Sequence, residues 1–129
     1  MKELNVVFTY KYVNSNGVKH VQEVIFESGG VNVAKLTEYE QRLRKSFSGK
    51  KNLFNASQTE LPDLFYFVPN YENDTCMHSF MEIDFTTRDV MDFRDIADFV
   101  ALSESESEKG WERFDVLEKV TGRIARNLY

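Results

Sequence analysis

Residues 3–27, ELNVVFTYKYVNSNGVKHVQEVIFE, decide the fold class of this chain. Apolar and polar side chains alternate on both sides of a central Asn16-Gly17, and such alternation is typical of half-buried strands. Asn and Gly both tolerate positive φ, so this dipeptide is a strong signal for a β-hairpin turn. A two-residue turn at Asn16-Gly17 pairs Tyr12 with Val21. The sequence therefore predicts an N-terminal hairpin over residues 3–27.

A helix is predicted directly after the hairpin. Beyond Ser28-Gly29-Gly30 the spacing of apolar residues changes from two to that of a helix. The periodic positions are Val33, Leu36, Leu43 and Phe47. They predict a helix over residues 32–47 that begins at Asn32 or at Thr37, because either residue can cap a helix.

The second half of the chain is predicted to hold two strands followed by two helices. Strands are expected at about residues 64–68 and 76–87, and helices at about 89–102 and 111–128. A polar Ser/Glu segment, residues 103–108, is expected to link the two helices. The element order ββα-ββ-αα predicts an α+β fold: a single globular domain over residues 1–129, with a mostly antiparallel sheet of about four strands and helices packed on one face.

Composition excludes several classes of protein. Hydrophobic residues make up 42% and aromatic residues 14% of the 129 positions, which is enough apolar surface for a folded core and excludes a disordered chain. A single cysteine excludes a disulfide framework. No apolar run approaches the roughly 18 residues of a membrane-spanning helix, and no secretory signal is evident. We expect a cytoplasmic protein with no membrane partner.

Negative charge is concentrated in one third of the sequence. Residues 72–112 carry three Lys/Arg against twelve Asp/Glu, whereas the net charge of the whole chain is −5. Such a segment repels nucleic acid and attracts basic surfaces, so no direct contact with nucleic acid is expected. The candidate partner-binding residues are Asp89, Asp92, Asp95, Asp98, Glu104, Glu106 and Glu108, with Tyr66 and Tyr71 as aromatic anchors.

The acidic segment has two interpretations. Aspartates repeating every three residues on a helix repel one another. A fold that tolerates this cost can present the carboxylates to a cationic groove on a partner. Alternatively, the segment is a solvated helix face, with Asp89 as N-cap and Asp92 in the favourable first turn.

Two further groups of side chains have the right chemistry for a site. His78, Glu82 and Asp84 are predicted to project from one face of a strand, where a histidine and two carboxylates are candidate ligands of a metal ion. The residues Arg42, Arg44, Lys45, Lys50 and Lys51 form a basic cluster that is able to contact a phosphate or an acidic partner. The alternative is that this cluster is the polar face and C-terminal end of a helix, where cations suit the helix dipole.

These features favour a non-enzymatic protein-interaction module over an enzyme, and no cofactor is expected. In its sharpest form the prediction is an inhibitor or regulator that docks its acidic face onto a basic, nucleic-acid-binding surface of a partner protein. Small acidic phage or mobile-element accessory proteins that mimic nucleic acid act in this general way, although this likeness is one of type and rests on no shared motif. The alternatives are a small metal-dependent enzyme using His78, Glu82 and Asp84, and an oligomer-forming structural protein, such as a homodimer paired through a hairpin edge.

Overall fold

The computed structural model describes residues 4–14, 17–64 and 77–112 of the chain. An antiparallel hairpin of β1 (Asn5–Val13) and β2 (Lys19–Glu27) lies where the alternation predicts it. Its register is one residue away from the prediction, because Tyr12 pairs with His20. The turn is closed by Asn14: its N–H donates to Val18 O at 3.1 Å, and its Oδ1 accepts the Val18 N–H at 2.9 Å. With Val13 paired to Lys19, the connection between the strands is longer than the predicted two-residue turn.

The shift in register changes which β2 side chains enter the core. Val24 and Phe26 are buried in the main core cluster with Phe8, whereas Val21, predicted to face inward, is 49% exposed. A register change of one residue has this effect because successive side chains of a strand point to opposite faces.

The hairpin lies inside a five-stranded sheet with the order β3-β4-β1-β2-β5. Strand β4 (Met77–Thr86) pairs antiparallel with β1 and with β3 (Leu53–Asn55), whereas β5 (Asp92–Asp95) runs parallel to β2. The α+β class is confirmed. The predicted four antiparallel strands and their order are corrected to five strands with one parallel pair.

The connection from β4 to β5, residues 87–91, crosses the sheet face opposite the helices. Crossing is necessary because β1 and β2 lie between β4 and β5. On this face Asn5 Nδ2 donates to Arg88 O at 2.8 Å, and at the outer edge of β2 the Met91 N–H donates to Ile25 O at 2.9 Å. The connection thereby covers one end of the outer face.

Helix α1 (Val33–Ser46) agrees with the predicted span and begins after Asn32. The Asn32 side chain accepts the Lys35 N–H at 2.8 Å, which satisfies one free donor of the first turn. Of the two predicted caps, Asn32 is therefore correct, and Thr37 lies within the helix.

Helix α2 (Ile96–Lys109) begins and ends seven residues later than the predicted helix over residues 89–102. The Ser/Glu segment 103–108, predicted as a linker, is helical. Of the predicted helix over 111–128, Trp111 and Glu112 are described and are not helical, and the remainder lies outside the described residues. Of the predicted strand over 64–68, Leu64 is described without regular structure and residues 65–68 lie outside the described residues.

Both helices pack on one face of the sheet around a largely aromatic core. The Phe8 ring on β1 contacts five other rings at centroid distances of 4.9–6.5 Å. These rings belong to Tyr10, Phe47, Phe54, Phe80 and Phe99. A short 3-10 turn (Ala56–Thr59) follows β3 and packs near α2. Among the described residues, neither helix combines the length and apolar character needed to cross a bilayer.

Candidate functional site

The four aspartates predicted to lie on one helix face are divided among three elements. Asp89 lies in the crossing connection, Asp92 and Asp95 bound β5, and Asp98 lies in the first turn of α2. The prediction of a helix from residue 89 is wrong at its N-terminal end, because residues 92–95 form a strand that pairs with β2. A three-residue spacing of aspartates therefore does not create an acidic helix face here.

Asp92 is bound by the side chain of its near neighbour Arg94. The guanidinium donates from Nε to Oδ1 at 3.0 Å and from Nη2 to Oδ2 at 2.7 Å, and the Arg94 N–H donates to Oδ1 at 3.1 Å. Partial burial opposes ionisation of this carboxyl, but the hydrogen bonds and charge of Arg94 lower the pKa of Asp92 below its ordinary value. Asp92 is consequently committed to an internal ion pair.

Arg94 also joins β5 to the rest of the fold. Its guanidinium lies 5.4 Å from the ring centroids of both Phe26 and Phe99, which places this side chain on the helix side of the sheet. Nη1 donates to Thr59 O at 2.8 Å in the 3-10 turn. The Arg94–Asp92 pair is therefore a structural connection between the edge strand, the core and the loop after β3.

Asp95 has a structural role at the start of α2. Its Oδ1 accepts the Ala97 N–H at 2.9 Å, so Asp95 is the N-cap of the helix. Gly29, in the turn after β2, lies against the same carboxylate, and a Cβ at this position would overlap Asp95 Oδ2. Asp98 follows in the first helical turn, where a negative charge suits the helix dipole, and its side chain is exposed.

The three candidate glutamates lie on α2 and differ in their contacts. Glu104 accepts two hydrogen bonds from Arg42 of α1, at 3.1 Å from Nε and 2.5 Å from Nη2. These bonds lower the pKa of Glu104, and the same bonds raise the pKa of Arg42. Glu106 lies 3.1 Å from Lys109 Nζ, and Glu108 is exposed.

The structure thus separates the seven acidic candidates into two groups. Four of them have a partner within the fold: Asp92 and Glu104 bind arginines, Asp95 caps α2, and Glu106 lies beside Lys109 three residues on in the same helix. Asp89, Asp98 and Glu108 are exposed, and within residues 4–14, 17–64 and 77–112 none of these three forms an ion pair. The predicted aromatic anchors Tyr66 and Tyr71 lie outside the described residues.

His78 lies in the core, away from the carboxylates with which it was predicted to share a face. Its relative accessibility is 0%, and Nε2 accepts the Leu64 N–H at 2.9 Å. The rings of Tyr10 and Tyr12 lie 5.8 Å and 5.1 Å from its imidazole. This environment is that of a buried histidine whose acceptor nitrogen fixes the backbone at Leu64.

A β-bulge in β4 explains the separation of His78 from Glu82 and Asp84. Tyr10 pairs with Phe80, but its neighbour Thr9 pairs with Glu82, so Met81 is an extra residue in β4. The bulge reverses the alternation: even-numbered residues before it face the core, and even-numbered residues after it face outward. Glu82 and Asp84 are exposed on the outer face. Within the described part of the chain, no three His, Cys, Asp or Glu side chains are grouped suitably for a metal ion.

The most exposed large apolar side chain among the described residues was missed in the sequence. Phe93 in β5 is 81% exposed, and Met91, two residues earlier, is 55% exposed. Arg94 lies on the helix side against Phe26 and Phe99, whereas Phe93 projects into solvent in the stretch where the pairing of β5 with β2 is irregular. The alternating letters of VMDFRD carried this signal, but the aspartate spacing made the segment resemble a helix.

These side chains lie at one border of the sheet. In the strand order, β5 is the last strand, and among the described residues no further strand pairs with its outer edge. We define the β5 surface as Asp89, Met91, Phe93 and Asp98: two exposed apolar side chains with an exposed carboxylate on either side in the sequence.

Comparisons with known protein families, with curated protein sequences and with solved structures find no significant match to this chain.

Proposed function

We propose that this chain is a non-enzymatic protein-interaction module that binds a partner protein through the β5 surface. The observation that carries the proposal is the 81% exposure of Phe93 on an edge strand. A phenylalanine in water contributes nothing to stability, whereas aromatic side chains are common anchors at protein interfaces. Met91 adds a flexible apolar contact next to this anchor.

The exposed charge on the segments that flank β5 in the sequence favours a partner with a basic surface. Asp89 and Asp98 are exposed, and no ion pair within the described residues engages either of them. Exposed charges at the rim of an interface increase the association rate and select partners of opposite sign. A basic, nucleic-acid-binding site on the partner would satisfy this requirement, and the module would inhibit or regulate its partner by occupying that site.

The fixed position of β5 supports the same function. A docking strand must hold its anchor in place, since every side chain that becomes ordered on binding costs free energy. Arg94 fixes β5 through Asp92 and Thr59, and Asp95 fixes the next residues as a helix cap. The internal carboxylates therefore support the surface rather than forming it.

The test is a quantitative pull-down from lysate of the source cells with wild type and two variants. Met91→Ser/Phe93→Ser is expected to lose the specific partner, and Asp89→Asn/Asp98→Asn to retain it with weaker, less salt-sensitive binding. The control is Val33→Ser, which removes an apolar side chain that is 71% exposed at the start of α1. Retention of the partner by Met91→Ser/Phe93→Ser would refute the proposal.

A second candidate, self-association, is favoured by the free part of the β2 edge. Strand β5 pairs only with Phe26 and Glu27, and among the described residues no other strand covers the outer edge of β2 before Phe26. The Ile25 carbonyl faces β5, so by alternation the backbone groups of Val21 and Glu23 also point outward.

The sequence of β2 is self-complementary in an antiparallel two-fold arrangement. If Val21 pairs with Val21 of a second copy, Lys19 of each copy lies opposite Glu23 of the other, and opposite charges across strands stabilise the pair. Sedimentation equilibrium tests this arrangement. Glu23→Lys is expected to abolish a dimer, and the exchange Lys19→Glu/Glu23→Lys to restore it. A monomeric wild type, or a dimer indifferent to both changes, would exclude this candidate.

A further inference from the structure

A groove on the outer face of the sheet is lined by cations from three parts of the fold. Its side chains include Lys11 of β1, Arg44 of α1, and Lys50 and Lys51 of the turn before β3. Among the described residues no carboxylate lines this groove, although the chain has a net charge of −5. The cavity volume is about 710 Å³, which lies within the usual range for small-molecule sites.

Three of the four cations of the groove have no counter-charge among the described residues. Within the described residues, Lys11, Lys50 and Lys51 form no ion pair, and Arg44 forms one exposed pair with Glu40 at 3.3 Å. Arg42, which the sequence grouped with these residues, is instead paired with Glu104. Lys45 is exposed on α1 and does not line the groove.

The walls of the groove are held by contacts to residues 79–81 of β4. Arg44 Nη2 donates to the Met81 carbonyl at 3.3 Å, and its guanidinium lies 4.7 Å from the Phe80 ring centroid. Ser79 Oγ donates to the Lys51 carbonyl, and the Phe80 N–H donates to Asn52 O at 3.0 Å. Residues 79–81 of β4 therefore contact both the C-terminal end of α1 and the turn before β3, and the extra residue Met81 makes the contact to α1.

Apolar side chains occupy the space between the cations. They are Val13, Leu53, Met77 and Met81. An inorganic anion would contact only the cations. A ligand that carries both phosphate and an apolar or aromatic group would contact the cations and the apolar side chains together.

We propose that this groove binds a small phosphorylated compound of nucleotide size, with its phosphates on Lys11, Lys50 and Lys51 and its organic group on the apolar floor. Several cations from separate elements converging on one cavity are the arrangement that phosphate recognition requires. A small ligand is favoured over a nucleic-acid strand because a long polyanion would also meet the acidic remainder of the surface. This site is independent of the β5 surface, so either proposal can fail without the other.

Isothermal titration calorimetry of the full chain with pyrophosphate and with adenosine 5′-diphosphate tests the proposal. Both probes are expected to bind saturably and more weakly at higher salt, with the nucleotide the tighter of the two. Lys50→Gln/Lys51→Gln is expected to weaken binding about tenfold or more, since hydrogen bonds to charged groups are lost. The matched control, Lys19→Gln/Lys45→Gln, removes the same charge from two exposed lysines that form no ion pair among the described residues and do not line the groove, and it is expected to leave binding unchanged.

Each contrary outcome has a definite meaning. The absence of saturable binding of both probes at millimolar concentration would overturn the site. Equal losses in the groove variant and in the control would reduce the interaction to overall charge and would also overturn it. Equal affinity for pyrophosphate and the nucleotide would overturn the role assigned to the apolar floor. A single-stranded DNA 20-mer that binds more tightly than the nucleotide and displaces it would replace the small ligand with an extended polyanion.

Discussion

The Arg94–Asp92 pair offers the sharpest test of how the β5 surface is held. We expect Arg94→Met to destabilise the protein by about 2–3 kcal/mol, because Asp92 is left half-buried without its donor and the contacts to Thr59 are lost. The retained apolar stem of methionine preserves most of the packing against Phe26 and Phe99. Asp92→Asn is expected to cost less, about 1–2 kcal/mol, since Arg94 keeps its bond to Thr59 O and its ring contacts.

Urea unfolding followed by the fluorescence of Trp111, the single tryptophan, measures these changes. The Trp111 ring lies 5.9 Å from the Phe47 ring and its Nε1 donates to Ser46 O, so its environment reports on the core. With a slope of roughly 1.5 kcal/mol per molar urea, the Arg94→Met midpoint should fall by about 1.5 M.

An exposed pair of similar chemistry provides the control. Arg88 and Glu23 are 52% and 48% exposed, against 21% and 22% for Arg94 and Asp92. A double-mutant cycle is expected to give a coupling of about 1–2 kcal/mol for Arg94–Asp92 and less than about 0.5 kcal/mol for Arg88–Glu23. Equal couplings, or a loss below about 0.5 kcal/mol in Arg94→Met, would refute the structural role assigned to the pair.

Three further predictions concern the helix caps, the acid sensitivity and the buried histidine. Gly29→Ala should destabilise the protein by about 2–3 kcal/mol in urea unfolding, because it combines strain at positive φ with displacement of the Asp95 cap. Gly30→Ala, where an added Cβ would meet open space, should cost about 1 kcal/mol. Equal costs would contradict the contact of Gly29 with Asp95. Because the pKa of Glu104 is lowered in the folded state, its stabilisation exists above the ordinary glutamate pKa and is lost as the pH falls through the lower folded value. Glu104→Gln should therefore cost about 0.5 kcal/mol at pH 7 and nothing at pH 2, and a pH-independent difference would exclude this cause. His78→Ala should cost about 3 kcal/mol, from the cavity and the unsatisfied Leu64 N–H, and a nearly neutral change would contradict the burial of His78.

Local patterns of the sequence are sufficient to predict the hairpin and α1. Both depend on contacts between residues close in the chain, namely strand alternation with a turn signal and helical spacing with an Asn cap. The hairpin register was not predictable in the same way, because a single side-chain acceptor, Asn14 Oδ1, determines how the turn closes.

The errors in the second half of the chain have a common cause: tertiary pairing overrides local spacing. Residues 92–95 form a strand because β2 offers an edge, although their aspartate spacing also fits a helix. The polar segment after residue 102 is helical, with Glu104 bonded to Arg42 and Ser103 buried on the inner face. The bulge at Met81 leaves one trace in the sequence: the core-facing apolar residues change from the even-numbered Phe80 to the odd-numbered Ile83, but uninterrupted alternation was assumed and His78 was assigned to the wrong face.

The charges of the candidate sites could be predicted from the sequence, but the grouping of residues into sites could not. Negative charge in residues 72–112 and positive charge in residues 42–51 are visible in the sequence. The fold determines which charges are internally paired. It also adds Lys11 from β1 to the groove and Phe93 to the β5 surface. A sequence pattern reports composition along the chain, whereas a site depends on residues brought together across it.

Site-specific photo-crosslinking tests the central claim most directly. A benzophenone amino acid replaces Phe93 in one preparation and Val33 in another, since both positions are highly exposed and apolar. Irradiation in source-cell lysate is expected to join one discrete partner with a basic surface to position 93 and not to position 33. Crosslinking of the same proteins from both positions, or none from position 93, would contradict binding through the β5 surface.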